Sequence, residues 1–333
     1  MAIRFRIVSF NLENLDNVPN QVPTLAARIR VMQPQLHRLD ADVLCLQEVH
    51  GQNVGGDLRL QALETLLADT PYAGFSLIST TQDGQPERLR NLVIMSRFPI
   101  VSGQQINQQL VPPPLYSRVT AEPPDEVALP ITWERPILHA ELELPGVVRL
   151  HVINVHLKSK NPAAVPGQQI GDPNASFRPW KTASGRAEGS FISAMKRVGQ
   201  ALELRRLIDS IFDVEPDALI AVCGDFNADA EDVPLQAIRG DIEETENPEL
   251  IGRVLVLCER TVPEPARFSL IHRGRGEMLD HILSSRSLLA HYRGTEIHNE
   301  LLHDESAAFA FDEKFPESDH APVVATFELR SDE

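Results

Sequence analysis

The stretch Ala218-Leu219-Ile220-Ala221-Val222-Cys223-Gly224-Asp225-Phe226-Asn227 runs apolar for six residues, then stops in a carboxylate and an amide. A short apolar run without alternation suits a strand covered on both faces. Gly224 is read as the bend that frees Asp225 and Asn227 from the strand. A carboxylate leaving such a strand is expensive to bury unless it meets a metal, a cation or several donors. The pattern recurs. Residues 42–49 (DVLCLQEV) are apolar up to Gln47-Glu48, with Glu48 on the parity of Leu44 and Leu46. Ile3, Phe5 and Ile7 alternate with Arg4 and Arg6 and lead to Asn11, on the core-facing parity. His156 closes an apolar run, and Asp319-His320 precede the last strand, 323–329.

Further strands are read at 91–96, 137–144, 147–155 and 278–283. Helical periodicity is plainest at 197–212, where Val198, Ala201, Leu202, Arg205, Ile208 and Ile211 recur at three and four. Residues 24–39 and 58–68 are further helix candidates. Six prolines make 110–130 a surface excursion. Residues 161–193, rich in Gly, Pro, Ser and Ala, are too long for an ordinary connection. No repeat or polar linker divides the chain. The expectation is one layered α/β domain over 1–333 with insertions near 110–130 and 161–193.

Composition narrows the partners. The 333 residues are 42% hydrophobic and 23% charged, which excludes disorder as an overall description. A net charge of −16 does not suit a protein that coats nucleic acid with a general positive field. Every apolar run falls far short of the ~20 residues that a membrane span needs. The N-terminus alternates charge with hydrophobe and lacks an export signal's apolar core. A cytoplasmic location is expected, or a secreted or surface one if a signal has been removed. Cys45, Cys223 and Cys258 lie in apolar runs, as buried thiols in a reducing compartment would. A Gly-rich phosphate loop, a His-Glu-x-x-His helix and a Gly-x-Ser-x-Gly elbow are all missing.

Each strand-end residue alone has an ordinary account as a turn or cap. Together they form an oxygen-rich set that suits hard ions such as Mg²⁺ or Mn²⁺. Histidines beside such a set supply protons or stabilise a charged transition state.

The blocks Ser9-Phe10-Asn11-Leu12-Glu13-Asn14, Leu46-Gln47-Glu48-Val49, Asn154-Val155-His156-Leu157-Lys158-Ser159-Lys160, Gly224-Asp225-Phe226-Asn227, Leu279-Asp280-His281-Ile282 and Ser318-Asp319-His320-Ala321-Pro322 occur in that order. With Met95-Ser96-Arg97-Phe98-Pro99-Ile100 and Trp133-Glu134-Arg135-Pro136, they resemble the successive motifs of the endonuclease/exonuclease/phosphatase superfamily. The resemblance spans nearly the whole chain. It implies a four-layered αββα sandwich, two mixed sheets flanked by helices, with the site at one edge of the sheets. It implies that Glu48 and Asn11 hold the principal divalent ion with Asp319 nearby, and Glu13 as a further carboxylate. The ion would be Mg²⁺ or Mn²⁺, with Ca²⁺ a third candidate. Asp225 would orient or deprotonate the attacking water, and Asn227 would position it or the phosphate. His156 and His320 would flank the phosphate, Asp280 would orient His320, and Arg135 would belong to the site. The sequence departs from the pattern at His50, where several nucleases of the group have arginine. The carboxylate supporting His156 is unassigned, with Glu87 the nearest candidate. Arg135 lies on the outward parity of Ile137 and His139, unless Pro136 re-aims it.

The substrate is the open question. Residues 158–206 carry nine basic and three acidic side chains, leaving −22 on the remainder. Lys158, Lys160, Lys196 and Arg197 would then form a rim gripping nucleic acid. The basic segment and the insertion favour a metal-dependent nuclease or phosphodiesterase that hydrolyses nucleic-acid phosphodiester bonds by in-line attack of water. The second, alternative reading is a phosphomonoesterase or lipid phosphodiesterase of the inositol or sphingomyelin type, and the third is a binding module without chemistry. The second would use Val111 to Tyr116 and Trp133 as an apolar rim. No obligate protein partner is evident.

Overall fold

The alternation at the N-terminus builds a long first strand, β1 (Ala2–Leu15), beside the wholly buried β2 (Val43–Val49). This protein's computed structural model describes residues 2–172, 178–311 and 314–330. Four more strands complete the first sheet: β3 (Ser76–Ser79), β4 (Asn91–Ser96), β13 (Tyr292–Ile297) and β14 (Val323–Arg330), in the order β13-β14-β1-β2-β4-β3. The second sheet contains β5 (Ile100–Ile106), β6 (Ile137–Leu144), β7 (Val148–His156), β8 (Leu219–Asp225), β9 (Leu255–Leu257) and β12 (Asp280–Ser285). Its order is β9-β12-β8-β7-β6-β5. Each sheet has one parallel pair at its centre, β1 with β2 and β7 with β8, and antiparallel neighbours outside it.

Side-chain parity produces the layers. Phe5, Ile7, Val43 and Cys45 from the first sheet pack against Leu138, Ala140, Val152, Ala221 and Cys223 from the second. The opposite face of the first sheet (Val8, Leu44, Leu46) buries helices α1 (Leu25–Leu39) and α2 (Gln61–Leu67). The opposite face of the second (Ile153, Ile220, Val222) buries α3 (Ala183–Val214) and α4 (Val233–Arg239). The architecture is the expected αββα sandwich. α1 starts where Thr24 accepts a hydrogen bond from the Ala27 amide.

Several expectations change in detail. The helix read at 197–212 begins at Ala183, so the second insertion is irregular only to about residue 182, with 173–177 outside the described residues. Its glycine-rich first half disguised it. At Gly189 a Cβ would come within 2.5 Å of the Ala163 carbonyl, so the helix needs glycine there to pack on the insertion. Gly224 makes no bend: β8 runs through it to Asp225. A Cβ there would lie 2.0 Å from the Val155 carbonyl of β7. The excursion at 110–130 holds only a two-residue pairing, Leu115–Tyr116 with Leu129–Pro130. It is pinned to α3 by buried Glu188, which accepts from the Tyr116 hydroxyl and the Val119 and Thr120 amides. Trp133 is buried and donates to Glu203, so it forms no apolar rim. Unread in the sequence were the edge strands β3, β5, β9 and β13; β5 is largely exposed and rich in Ser, Gly and Gln, without alternation. A hairpin, β10 (Leu270–His272) with β11 (Arg275–Glu277), and α5 (Glu305–Phe311) complete the elements that surround the site.

All three cysteines are buried free thiols. Among the described residues, no helix is long and apolar enough to cross a membrane.

Candidate active site

The two parallel pairs end at the same edge of the sandwich, and that edge carries the strand-end residues. Asn11, His156 and Asp225 continue the inward parity of Phe5, Val152 and Cys223, so they leave between the sheets. Asp280 enters the same space, because antiparallel β12 starts opposite Asp225. Glu48 is the exception: its parity belongs to the helix-covered face. Its backbone takes a left-handed φ of 59° beside a register shift in both of β2's pairings, which re-aims the carboxylate into the site. Glu13, Asn14 and Asn227 are left-handed too. Four strained non-glycine residues at one edge mark a place where position outweighs comfort.

Asp225 is the hub. Its Oδ2 receives the His156 Nε2 at 3.1 Å, the Asn11 Nδ2 at 3.1 Å and the Asn227 Nδ2 at 3.0 Å, while Oδ1 accepts the Asn227 amide at 2.9 Å. Burial opposes its charge, but His156, His320 and the Asn227 amide outweigh that and hold its pKa below the usual carboxylate range. Beside it, His320 Nδ1 lies 2.7 Å from Asp280 Oδ2. Burial would favour neutral imidazole here too, yet Asp280 and Asp225 raise the His320 pKa well above its ordinary value. His156 goes the other way, lowered first by burial and then by Arg135. Its Nδ1 is buried without a partner. Glu87 does not support it: the imidazole meets Asp225, with Glu48 at 3.7 Å, and the Glu87 amide turns to Asn91.

Carboxylates crowd the adjoining space. Glu13 Oε2 accepts the Asp319 amide at 3.1 Å, and Glu48 Oε2 accepts the Asn14 amide at 3.0 Å. Burial and the Asp319 charge push Glu13 up to about 8, and burial lifts Asp319 to about 6. Asp319 Oδ1 is buried without a hydrogen bond, with His320 Nε2 at 3.9 Å. Like charges in one place, with an oxygen that accepts no hydrogen bond, fit a divalent cation. Glu13, Glu48 and Asp319, with the free lone pair of Asn11 Oδ1, are the residues that would hold it. Asp225, Asp280 and His320 also place ligand atoms within 4.8 Å of one another. The His320–Asp280 hydrogen bond accounts for that closeness.

The cations divide. Arg135 reaches in from just before β6, donates to the Leu157 carbonyl at 3.0 Å and lines the pocket. The expected rim is tied into its own surroundings, two of its cations by neutral oxygens and two by carboxylates. Lys158 Nζ folds onto its own loop at Ser159 and Asn161, and Arg197 donates to the Lys158 carbonyl. Lys160 pairs with Asp232 at 3.1 Å, and Lys196 pairs with Glu134. Of the four, only Lys160 lines the pocket.

Sequence reasoning missed several residues. Buried Arg28 donates to the carbonyls of Leu12 and Glu13, holding the loop that carries Glu13. Its signal was an arginine on the buried stripe of α1, in register with Leu25, Met32 and Leu36. Asn154 bridges the sheets beneath the site, accepting from Gln47 and donating to the carbonyls of Leu46 and Val93. Arg90, His272, Glu277 and Glu305 also line the pocket. They come from a loop, a hairpin and the first residue of α5, without local signals. His50 pairs with Asp16 at 3.1 Å.

Known structures share this arrangement of layers. An endonuclease/exonuclease/phosphatase family protein from Bacteroides thetaiotaomicron superposes with a TM-score of 0.59 at 15% identity, covering 99% of this chain and 96% of that one. A mannosyl-6-phosphatase from the same organism gives 0.58 at 16%, covering 98% and 100%. A truncated Caenorhabditis elegans TDP2 gives 0.54 at 16%, covering 97% of each chain. No curated protein matches in sequence. The family model for the Endonuclease/Exonuclease/phosphatase family, a family of phosphoester hydrolases, matches residues 8–320. That match runs from β1 to His320 and takes in every strand-end residue of the site, so the chain belongs to the Endonuclease/Exonuclease/phosphatase family.

Proposed function

We propose that this protein is a divalent-metal-dependent hydrolase that cleaves a P–O bond by in-line attack of water. One observation carries the reading: buried Asp225, held by His156, Asn11 and Asn227, and His320, hydrogen-bonded to Asp280, share a pocket with the crowded carboxylates of Glu13, Glu48 and Asp319. A divalent ion held there would supply charge neutralisation at the phosphate and acidify the attacking water. With its pKa so low, Asp225 is a poor proton acceptor and a good orienting one, so it aligns the water. Asn227 spends both amide hydrogens on Asp225 and the Leu157 carbonyl, which leaves its Oδ1 to accept from and help position the attacking water. Arg135 adds positive charge beside them. His320, kept protonated by Asp280, meets the phosphate as a cation and protonates the departing oxygen. His156 secures Asp225 through one ring nitrogen.

Polynucleotide cleavage is the second reading, favoured by the positive excess of residues 158–206. The ion pairs of Lys160 and Lys196 weigh against it.

The test is a substrate panel of p-nitrophenyl phosphate, bis(p-nitrophenyl) phosphate, sugar phosphates, DNA and RNA, with Mg²⁺, Mn²⁺ or Ca²⁺ and with a chelator. Hydrolysis that chelation abolishes and metal restores is expected. Activity that survives chelation overturns the proposal.

A further inference from the structure

One wall of the pocket takes no part in the attack on phosphorus. Hairpin β10–β11 and the start of α5 build it, and it presents His272, Glu277 and Glu305 with Leu270 and Leu279. It is held in place: His272 Nδ1 meets Glu305 at 2.8 Å, and Asp304 accepts the Gly274 and Arg273 amides of the hairpin turn. Glu305 lies within electrostatic reach of Asp319, so the wall adjoins the His320 side of the site. No hydrogen bond or ion pair joins the Glu277 carboxylate to any other described residue, although the pocket also holds Arg90, Arg135 and Lys160.

Three classes of leaving group fit this wall poorly. A leaving group bearing further phosphates, as in a polynucleotide, would face Glu277 and Glu305 and be repelled. A base would want an aromatic face to stack on, and a quaternary ammonium an aromatic cage. No Phe, Tyr or Trp lines the pocket among the described residues. What the wall offers is hydrogen bonding. Glu277 and Glu305 accept, His272 exchanges, and Asn14, Ser159 and Asn161 line the same pocket. The cavity, about 390 Å³, is of small-molecule size.

We propose that His272, Glu277 and Glu305 form a hydroxyl-reading subsite and that the substrate is a phosphate monoester of an uncharged polyhydroxylated alcohol, a sugar or polyol. This rests on the proposed phosphoester hydrolysis and names its leaving group. The similarly folded mannosyl-6-phosphatase acts on such chemistry, at 16% identity.

The test compares glucose 6-phosphate, p-nitrophenyl phosphate, phosphocholine and a short single-stranded DNA in the wild type, Glu277→Ala and Glu277→Gln. The sugar phosphate should be the best substrate by kcat/KM. Glu277→Ala should raise its KM about 10-fold more than that of p-nitrophenyl phosphate, which has no hydroxyls to read, the scale of one lost hydrogen bond to a charged group. Glu277→Gln, which still accepts, should recover most of the loss. Equal penalties on both substrates, or a wild type that prefers phosphocholine or DNA, would overturn the subsite. A wild type that hydrolyses no phosphate ester with any of the three ions would sink the proposed reaction instead. The subsite is then judged by calorimetric binding of glucose 6-phosphate: binding weakened in Glu277→Ala supports it, and absent or unaltered binding refutes it.

Discussion

Asp225 is held on both oxygens by its own protein, with three side-chain donors on Oδ2 and one backbone amide on Oδ1, which keeps a lone pair for the water. Asp319 is the opposite, a buried carboxylate whose Oδ1 accepts no hydrogen bond and has only the His320 Nε2 at 3.9 Å. That contrast separates the proposed roles, one group orienting and the other awaiting a cation. It makes the metal testable without turnover. Mg²⁺ or Mn²⁺ should raise the melting temperature of the wild type, because binding to the native state alone adds stability. In Glu48→Gln the rise should be lost or much reduced, as read by thermal unfolding with and without ion; an undiminished rise would remove Glu48 from the ligand set. His320 and Asp280 differ in the same way. His320→Ala, folded by circular dichroism, should lose about 100-fold or more in kcat, the scale of one acid or transition-state group. Asp280→Asn should lose less, since it orients the imidazole and does not touch the phosphate. If Asp280→Asn costs more than His320→Ala, the assignment is reversed.

The elements explain why these residues meet. Parallel strands β7 and β8 run so close at Gly224 that a methyl group would sit 2.0 Å from the Val155 carbonyl, with φ at 149°. Gly224→Ala should therefore cost about 3 kcal/mol or more in urea unfolding, from overpacking and backbone strain together. A variant as stable as the wild type would mean that the strands separate without penalty. This also shows what was legible beforehand. Asn11 is placed by strand parity, because a period of two fixes which face a residue leaves from, whereas the bend expected at Gly224 hid that Asp225 keeps the parity of β8. Glu48 could not be placed in this way, since its left-handed backbone breaks the period. Arg135 stands before Pro136 and outside its strand, so parity did not apply to it. Edge strands β3, β5 and β13 stayed hidden because exposure weakens the apolar signal on which a reading of periodicity depends. The fourth, β9, stayed hidden because its three residues are too few to show a period. The wall carrying His272, Glu277 and Glu305 joins a hairpin to a helix some thirty residues away, a contact that no local pattern announces.

Across the molecule, charge and burial set the response to pH. The net charge of −16 is not relieved by a free cationic track near the site, because Lys160 and Lys196 are already paired. Turnover of a small substrate should accordingly depend only weakly on salt, whereas polynucleotide binding would show the steep fall of counterion release. Stability is a separate matter, and a chain of hydrogen bonds through two buried histidines, away from the site, governs part of it. Gln104 Nε2 donates to His139 Nδ1 at 3.1 Å, and His139 Nε2 then donates to His151 Nδ1 at 3.0 Å. His151 Nε2 faces Glu215 at 3.5 Å. Protonating His139 would place a hydrogen against the Gln104 amide and a charge beside a second imidazole. Burial first, and His151 second, hold its pKa down to about 4, with Glu141 opposing weakly. Above the ordinary histidine pKa both folded and unfolded chains keep this group neutral, and it adds no pH dependence. As pH falls from about 6.5 towards 4, the unfolded chain takes up a proton that the folded one refuses, so stability drops across that window and levels off below it. Between about pH 7 and about pH 5 the loss from this residue should be roughly 2 kcal/mol. Urea unfolding at the two pH values should show that increment in the wild type, and His139→Gln should lack it. An equal pH dependence in both proteins would mean that His139 titrates normally and that the hydrogen-bond chain opens before it is charged.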